Sequence, residues 1–177
     1  MTNESRPGKQ QLADEFRSFI DPQFVITDDE TLRPYECDGL AMYREMPMLV
    51  VLPETVEQVQ RVMRICHEKG VPVVARGAGT GLCAGAMPHK EGVVLSLAKF
   101  NRILDIDRIA RTARLQPGVR NLAISEEAAQ YGLYYGPDPS SQIACTIGGN
   151  VAENSGGVHC LKSVSYTHLT LPTKRIV

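Results

Sequence analysis

The sequence has no surplus of either charge: 19 Lys and Arg stand against 20 Asp and Glu, for a net charge of -1. A chain so balanced generates no field that would draw nucleic acid or an anionic membrane to it as a main partner. The local basic run RIARTAR, Arg108 to Arg114, reads as a solvated edge. No apolar run reaches the length of a membrane span, and the polar opening MTNESRPGKQ lacks the apolar core of a signal peptide. Cysteine is scarce and unpaired. Cys37, Cys66, Cys83, Cys145 and Cys160 are odd in number, scattered, and form no C-x-x-C. That pattern speaks against a disulfide framework or structural zinc and for reduced, mostly buried thiols. His159 and Cys160 are adjacent soft ligands, too few to expect a metal. The chain also lacks a G-x-x-x-x-G-K phosphate loop, an internal repeat and a low-complexity tract.

What is present is an ordinary globular composition, 177 residues with 43% hydrophobic and 22% charged. This suffices for one domain with a real core. Leu12, Phe16, Phe19 and Ile20 form a helical stripe over Gln10–Ile20, closed by Asp21-Pro22. An irregular connection with one helical turn then runs to Pro47. From Met48 the pattern sharpens. MLVVL (48–52) has the length of a strand; Thr55 and Gln58 have capping-box spacing; Val56, Val59, Met63 and Cys66 fall on one helical face; Gly70 supplies the stop. VPVVA (71–75) reads as a second buried strand, which makes a βαβ unit with parallel strands. Three strand candidates follow, GVVLSL (92–97), RILDID (102–107) and ARLQPG (113–118), and then a helix through Leu122, Ser125 and Ala129 that ends at Gly132. The class is α/β or α+β.

Two segments are too bare to pack a core. RGAGTGLCAGA, Arg76 to Ala86, holds four glycines, three alanines and a threonine. Such a run suits an anion cradle, in which backbone N–H groups converge with no Cβ in the way. Part of it, GTGLCA, fits the dinucleotide pattern G-x-G-x-x-A, but the loop follows the second strand of its unit, and Pro88 and Gly92 stop any long helix. The dinucleotide reading therefore fails on context. Arg76 either neutralises a phosphate or closes a surface ion pair, and the Thr80 hydroxyl serves either a phosphate oxygen or its own turn. The second segment, Pro137 to Gly157, adds Gly148, Gly149, Gly156 and Gly157 with Asn150 and Asn154. Two such segments in one chain suggest one extended ligand touched at both.

Taken together, VVLPETVEQV, VPVVARGAGTGLCAGA and YYGPDPSSQIACTIGGNVAENSGGVHCLK resemble the FAD-binding domain of the vanillyl-alcohol oxidase/PCMH flavoprotein superfamily. Within it they are similar to the branch of D-lactate and glycolate dehydrogenases, over roughly residues 27–162. The resemblance implies an α+β, PCMH-type fold of two small α/β subdomains that clasp FAD, here C-terminally incomplete. Residues 1–47 would be an N-terminal helix and connection, residues 48–162 the FAD-binding domain, and residues 163–177 a tail foreign to the family.

By the same resemblance Arg76, Gly77, Ala78, Gly79, Thr80, Gly81, Gly85 and Ala86 would serve the FAD pyrophosphate. Pro137, Asp138, Thr146, Gly148, Gly149, Asn150, Asn154 and Gly156 would serve the flavin and the ribityl-phosphate region. The implied reaction is oxidation of a 2-hydroxy acid, glycolate first, with D-lactate and D-2-hydroxyglutarate as alternatives, by hydride transfer to the flavin N5. Many covalently flavinylated relatives carry a histidine inside the first loop, whereas this loop has Thr80 and no histidine, so non-covalent FAD is expected. Implied partners are the 2-hydroxy acid, held by a missing domain, and other oxidase subunits, an iron-sulfur subunit among them. The implied location is cytoplasmic, peripheral to the inner membrane through those subunits. The catalytic base is expected in the missing part, and His159 is read as structural. The departure after Lys162 is expected to be a truncation or a frame or assembly artefact. A half pocket implies weak or no FAD retention, and an exposed apolar face where the remainder docks.

Overall fold

The computed structural model describes residues 7–159; Cys160, Lys162 and the tail at 163–177 lie outside them. The chain divides into two compact units, the first ending at Lys99 and the second starting at Phe100.

The first unit is built on a four-stranded sheet. In chain order it holds α1 (Lys9–Arg17), β1 (Val25–Ile26), α2 (Asp29–Leu32), β2 (Leu49–Val51), α3 (Val56–Glu68), β3 (Val73–Arg76) and β4 (Val93–Ser96), in the spatial order β1-β2-β4-β3. Strands β2, β4 and β3 are parallel, with Val50 and Val74 both registered on Val94, and β1 closes the other edge antiparallel. The βαβ pairing expected from the sequence is thus parallel but not adjacent, because β4 inserts between its two strands. As the central strand, β4 is buried at every residue, whereas β3 is an edge strand with Ala75 exposed. The expectation of a second buried strand at 71–75 is corrected accordingly.

Helix α3 starts as its sequence dictates. The Thr55 Oγ1 accepts the Gln58 N–H at 3.2 Å, and the Gln58 Oε1 accepts the Thr55 N–H at 3.4 Å, a reciprocal capping box. Its packed face differs from the expected one. Val62, Ile65 and Cys66 are buried with Val59 packed against them, while Val56 and Met63 are 56% and 46% exposed. The apolar residues span half the circumference of this helix, so periodicity leaves open which part of that face is packed and the sheet decides it. The N-terminal segment packs into the first unit, where Leu12, Ala13, Phe16, Ile20 and Val25 share one core with Leu49, Val51, Val93 and Leu95. The stretch read as irregular contains β1, two residues long and so below the reach of any period-2 signal.

The second unit opens with an antiparallel hairpin, β5 (Ile103–Asp107) on β6 (Thr112–Leu115), interrupted by a bulge between Ile103 and Asp105. Arg108 to Arg114 form its exposed tip, the solvated edge expected from the sequence. Then come α4 (Asn121–Ala128), a 3₁₀ turn stopped by Gly132 at φ 68°, and α5 (Ile147–Ala152). Helix α4 buries Asn121, Ile124 and Ala128, one residue before each position expected. Segment 137–157, expected as a loop, contains α5; two adjacent glycines hid a helix that tertiary hydrogen bonds hold. Those bonds come from 117–122: Pro117 O accepts from Gly148 N at 2.8 Å, Val119 O from Ile147 N at 2.8 Å, and Asn121 N donates to Cys145 O at 3.0 Å.

Candidate functional site

The first glycine-rich segment is a crossover. Adjacent parallel strands β3 and β4 are joined through residues 77–92 with no helix among them, where a helical crossover is the usual solution. Gly79 at φ 69° and Ala84 at φ 58° make the left-handed bends that fold this connection back. The loop leans on residues 34–40. Arg76, the last residue of β3, is 8% exposed, and its guanidinium donates to Cys37 O at 2.7 Å and Pro34 O at 3.1 Å. It lies 5.4 Å from the centroid of the Tyr35 ring. A Cβ on Gly79 would collide with this guanidinium, so the loop wraps the arginine through a gap that only glycine leaves. A Cβ on Gly39 would sit 2.8 Å from Gly81 O and 2.9 Å from Thr80 O, which brings the neighbouring segment equally close.

Neither role weighed for Arg76 in the sequence describes its side chain. It ends on the backbone carbonyls of Cys37 and Pro34, not on a surface carboxylate. Burial pushes the guanidinium below its ordinary value, opposed by Cys37, Tyr35 and Asp38. Asp38, 6% exposed, accepts the Leu40 N–H at 2.8 Å through Oδ1, and its Oδ2 is buried with no hydrogen-bond partner. Around them, Gly77, Gly79, Thr80, Gly81 and Ala86 are half-buried, while Ala78 and Gly85 are exposed.

The second segment is laced differently. Asp138 and Gly157 form a parallel bridge, Asp138 N donates to Gly156 O at 3.3 Å, and a Cβ on Gly157 would strike the Asp138 backbone and carboxylate. The Asp138 Oδ2 meets His159 Nδ1 at 2.7 Å, and its Oδ1 accepts the His159 N–H at 3.3 Å. His159 therefore closes a turn onto Asp138. The Pro137 carbonyl accepts the side-chain amide of buried Asn121 at 3.1 Å. An open cleft of about 610 Å³ lies against Asp138, Pro139, Ser140, Gln142, Ser155 and Gly157.

At α5 the polar atoms are left over. Thr146 stands at the helix N-cap but makes no cap with its side chain. Its Oγ1, Asn150 Nδ2 and, just past the helix, Asn154 Oδ1 are buried without hydrogen-bond partners. Buried polar atoms are rarely left unpaired, since each costs about 1–3 kcal/mol. Thr146 and Asn150 are 8% and 5% exposed. Gly148 packs so tightly on Pro117 that its Cβ would lie 2.7 Å from the proline Cβ, but a Cβ on Gly149 would meet nothing closer than Thr146 Oγ1 at 3.6 Å. Orphaned donors and acceptors beside an open glycine fit a polar, hydroxyl-bearing group such as the ribityl and phosphate portion of a flavin nucleotide. All three orphans are residues expected from the sequence. The sequence missed Asp38, Gly39 and Asn121, of which the Asp38-Gly39 turn pair was the one visible signal.

The second unit also carries an open apolar groove of about 700 Å³, lined by Leu115, Ile124, Tyr134, Tyr135, Ile147 and Val151 among others. Burial raises the Tyr135 hydroxyl above its ordinary value. Among the described cysteines all are free: Cys66 and Cys145 are buried, Cys37 is half-buried and Cys83 is exposed, so burial is less general than expected. Burial and Glu15 push the Cys66 thiol up to about 11. Among the described residues no cluster of three metal-ligating side chains occurs, and no helix is long and apolar enough to cross a membrane.

Comparison with known proteins places this geometry. Residues 47–172 match the family described as FAD binding domain. Glycolate oxidase subunit GlcD of Escherichia coli (strain K12) is 62% identical over 138 residues, covering 78% of this chain and 28% of that protein. D-lactate dehydrogenase of Anaerostipes hadrus is 35% identical over 174 residues, 94% of this chain and 36% of that one. The crystal structure of p-cresol methylhydroxylase with substrate bound superposes with a TM-score of 0.67 at 26% identity, over 80% of this chain and 29% of that one. The chain thus spans about a third or less of each of these relatives.

Proposed function

This chain belongs to the FAD binding domain family, and from that premise we propose that it is the cofactor-binding portion of a flavin-dependent oxidoreductase acting on a 2-hydroxy acid. Glycolate is the first substrate to test, with D-lactate and D-2-hydroxyglutarate as alternatives. The observation that carries the reading is the orphaned polar set of Thr146, Asn150 and Asn154, a site that needs a partner to be satisfied. We assign Gly77, Ala78, Gly79, Thr80, Gly81, Gly85 and Ala86 to the FAD pyrophosphate through the loop backbone. Pro137, Asp138, Thr146, Gly148, Gly149, Asn150, Asn154 and Gly156 are assigned to the flavin and the ribityl-phosphate region. Arg76 contributes through its place in the loop, its guanidinium being engaged elsewhere.

When bound, FAD supplies the acceptor, at N5, for hydride from the carbon that bears the substrate hydroxyl. The chain's own residues bind and orient it. Thr80 and a loop free of histidine go with non-covalent attachment. Substrate-binding groups and the catalytic base belong to the part of the relatives that this chain does not span. Further oxidase subunits, an iron-sulfur protein among them, and a cytoplasmic, membrane-peripheral location are part of the same reading.

The test is a titration of the 177-residue chain with FAD, followed by flavin fluorescence and amide NMR. The chain is expected to purify colourless and to bind added FAD weakly, because partial contacts roughly offset the cost of association. Amide shifts are expected in 77–86 and 146–156. Shifts absent at millimolar FAD, or equal shifts with a nicotinamide dinucleotide, would overturn the flavin reading. A stoichiometrically yellow chain would overturn the expectation of weak retention.

A further inference from the structure

We infer that Arg76 is a positioning residue. Together with the segment Pro34–Leu40 it holds the first glycine loop in its binding shape and makes no direct contact with the ligand's phosphates. The inference rests on the proposed function only for what the loop binds. Three observations converge on the shape itself. The guanidinium forks onto Cys37 O at 2.7 Å and Pro34 O at 3.1 Å, which ties it to the segment 34–40. Gly79 sits over it, with the guanidinium in the space a Cβ would occupy. Gly39 then brings residues 38–40 within close contact of Thr80 O and Gly81 O.

A planar guanidinium serves two carbonyls at a fixed spacing, which an ammonium does not reproduce. The side chain is 8% exposed and donates from each terminal nitrogen to a backbone carbonyl, so turning to a phosphate would break both bonds. The loop therefore presents its ligand with backbone groups alone, and the glycine at position 79 is required by Arg76 rather than by the ligand.

The test uses the unliganded chain with Arg76→Ala and Gly39→Ala. In Arg76→Ala, alkylation of the half-buried Cys37 should quicken roughly ten- to hundredfold, the change that loss of the charge-assisted hydrogen bond to Cys37 O alone implies for local opening. Amide signals of Tyr35–Leu40 and Gly77–Gly85 should move, while buried Cys66 stays unreactive and the signals of Val50 and Val94 stay in place. Added ethylguanidinium should restore the loop signals, a recovery that a general loss of stability would not show. Gly39→Ala should move the same Gly77–Gly85 signals with Arg76 intact. Unchanged Cys37 reactivity and loop signals in both variants would overturn the inference, as would Cys66 becoming reactive in step with Cys37. No flavin is present, so a failure here is separate from a failure of the FAD titration.

Discussion

The two glycine-rich segments hold four glycines each and differ in how their space is used: one buried orphan, Asp38 Oδ2, lies in the stretch packed on the first, and three lie within the second. In the first, the bareness is used up internally: Gly79 clears the Arg76 guanidinium, and Gly39 clears the carbonyls of Thr80 and Gly81. In the second, Thr146 Oγ1, Asn150 Nδ2 and Asn154 Oδ1 remain buried without partners, and Gly149 faces open space except for the Thr146 hydroxyl. A glycine-rich stretch is thus not one kind of feature. Some glycines let the chain pack on itself, and others leave room for a ligand. The distinction is energetic. An internally required glycine loses stability when a Cβ is added, whereas a ligand-facing one loses only binding.

The sharpest way to break this comparison lies within the second segment itself. Gly157→Ala combines φ 76° with a collision against the Asp138 backbone. It should destabilise by about 3 kcal/mol or more, read by urea denaturation, with loss of the His159–Asp138 pair in the NMR spectrum. Unchanged stability would deny that this glycine is an internal one. The next effect separates two adjacent residues of α5. Gly148→Ala, pressed on Pro117 at 2.7 Å, should cost about 1–3 kcal/mol. Gly149→Ala should instead stabilise the unliganded chain by roughly 0.5–1 kcal/mol, the ordinary helical preference for alanine, and weaken FAD. Equal losses at both positions would erase the distinction.

Thr146→Val tests the orphaned set. Removing a hydroxyl that has no partner should leave the unliganded chain within about 1 kcal/mol of its starting stability, on the stable side. FAD affinity should fall about tenfold. A clear destabilisation without flavin would mean that the hydroxyl is already satisfied.

The smallest effect concerns pH and lies outside both segments. Asp28 caps α2 by accepting the Thr31 N–H at 3.0 Å, and the Thr31 backbone and side-chain hydrogen bonds hold its carboxyl below the ordinary value. A carboxyl depressed in the folded state stabilises above its unfolded pKa. That contribution fades as pH falls through the folded value. The Thr31 amide should therefore lose hydrogen-exchange protection on acidification below the usual Asp range, and in Asp28→Asn this pH dependence should vanish.

The elements that were legible in the sequence are those fixed by local chemistry. The Thr55–Gln58 box, the Gly70 and Gly132 stops and the short strands, those at 102–107 and 113–118 among them, need only near neighbours, and they stand where the sequence puts them. The exclusion of a dinucleotide loop followed from the same local signals, Pro88 and Gly92. Residues that depend on distant partners were not legible. The buried part of α3 shifted because its apolar residues span half the helix circumference and only the sheet selects among them. Strand β1 is too short to show a period. Helix α5, with its paired glycines, is held by bonds from Pro117 and Val119.

By itself, then, the sequence determined the class of the chain, its strand and cap chemistry, and which two stretches were too bare to be core. Short-range sterics and backbone hydrogen bonding are written in neighbouring residues. Only the tertiary structure decided what each bare stretch is for. Whether a glycine clears an arginine from the same unit or stands beside an unpaired hydroxyl depends on which atoms arrive from far along the chain. At Arg76 these came from Pro34 and Cys37, and at Asn150 none came.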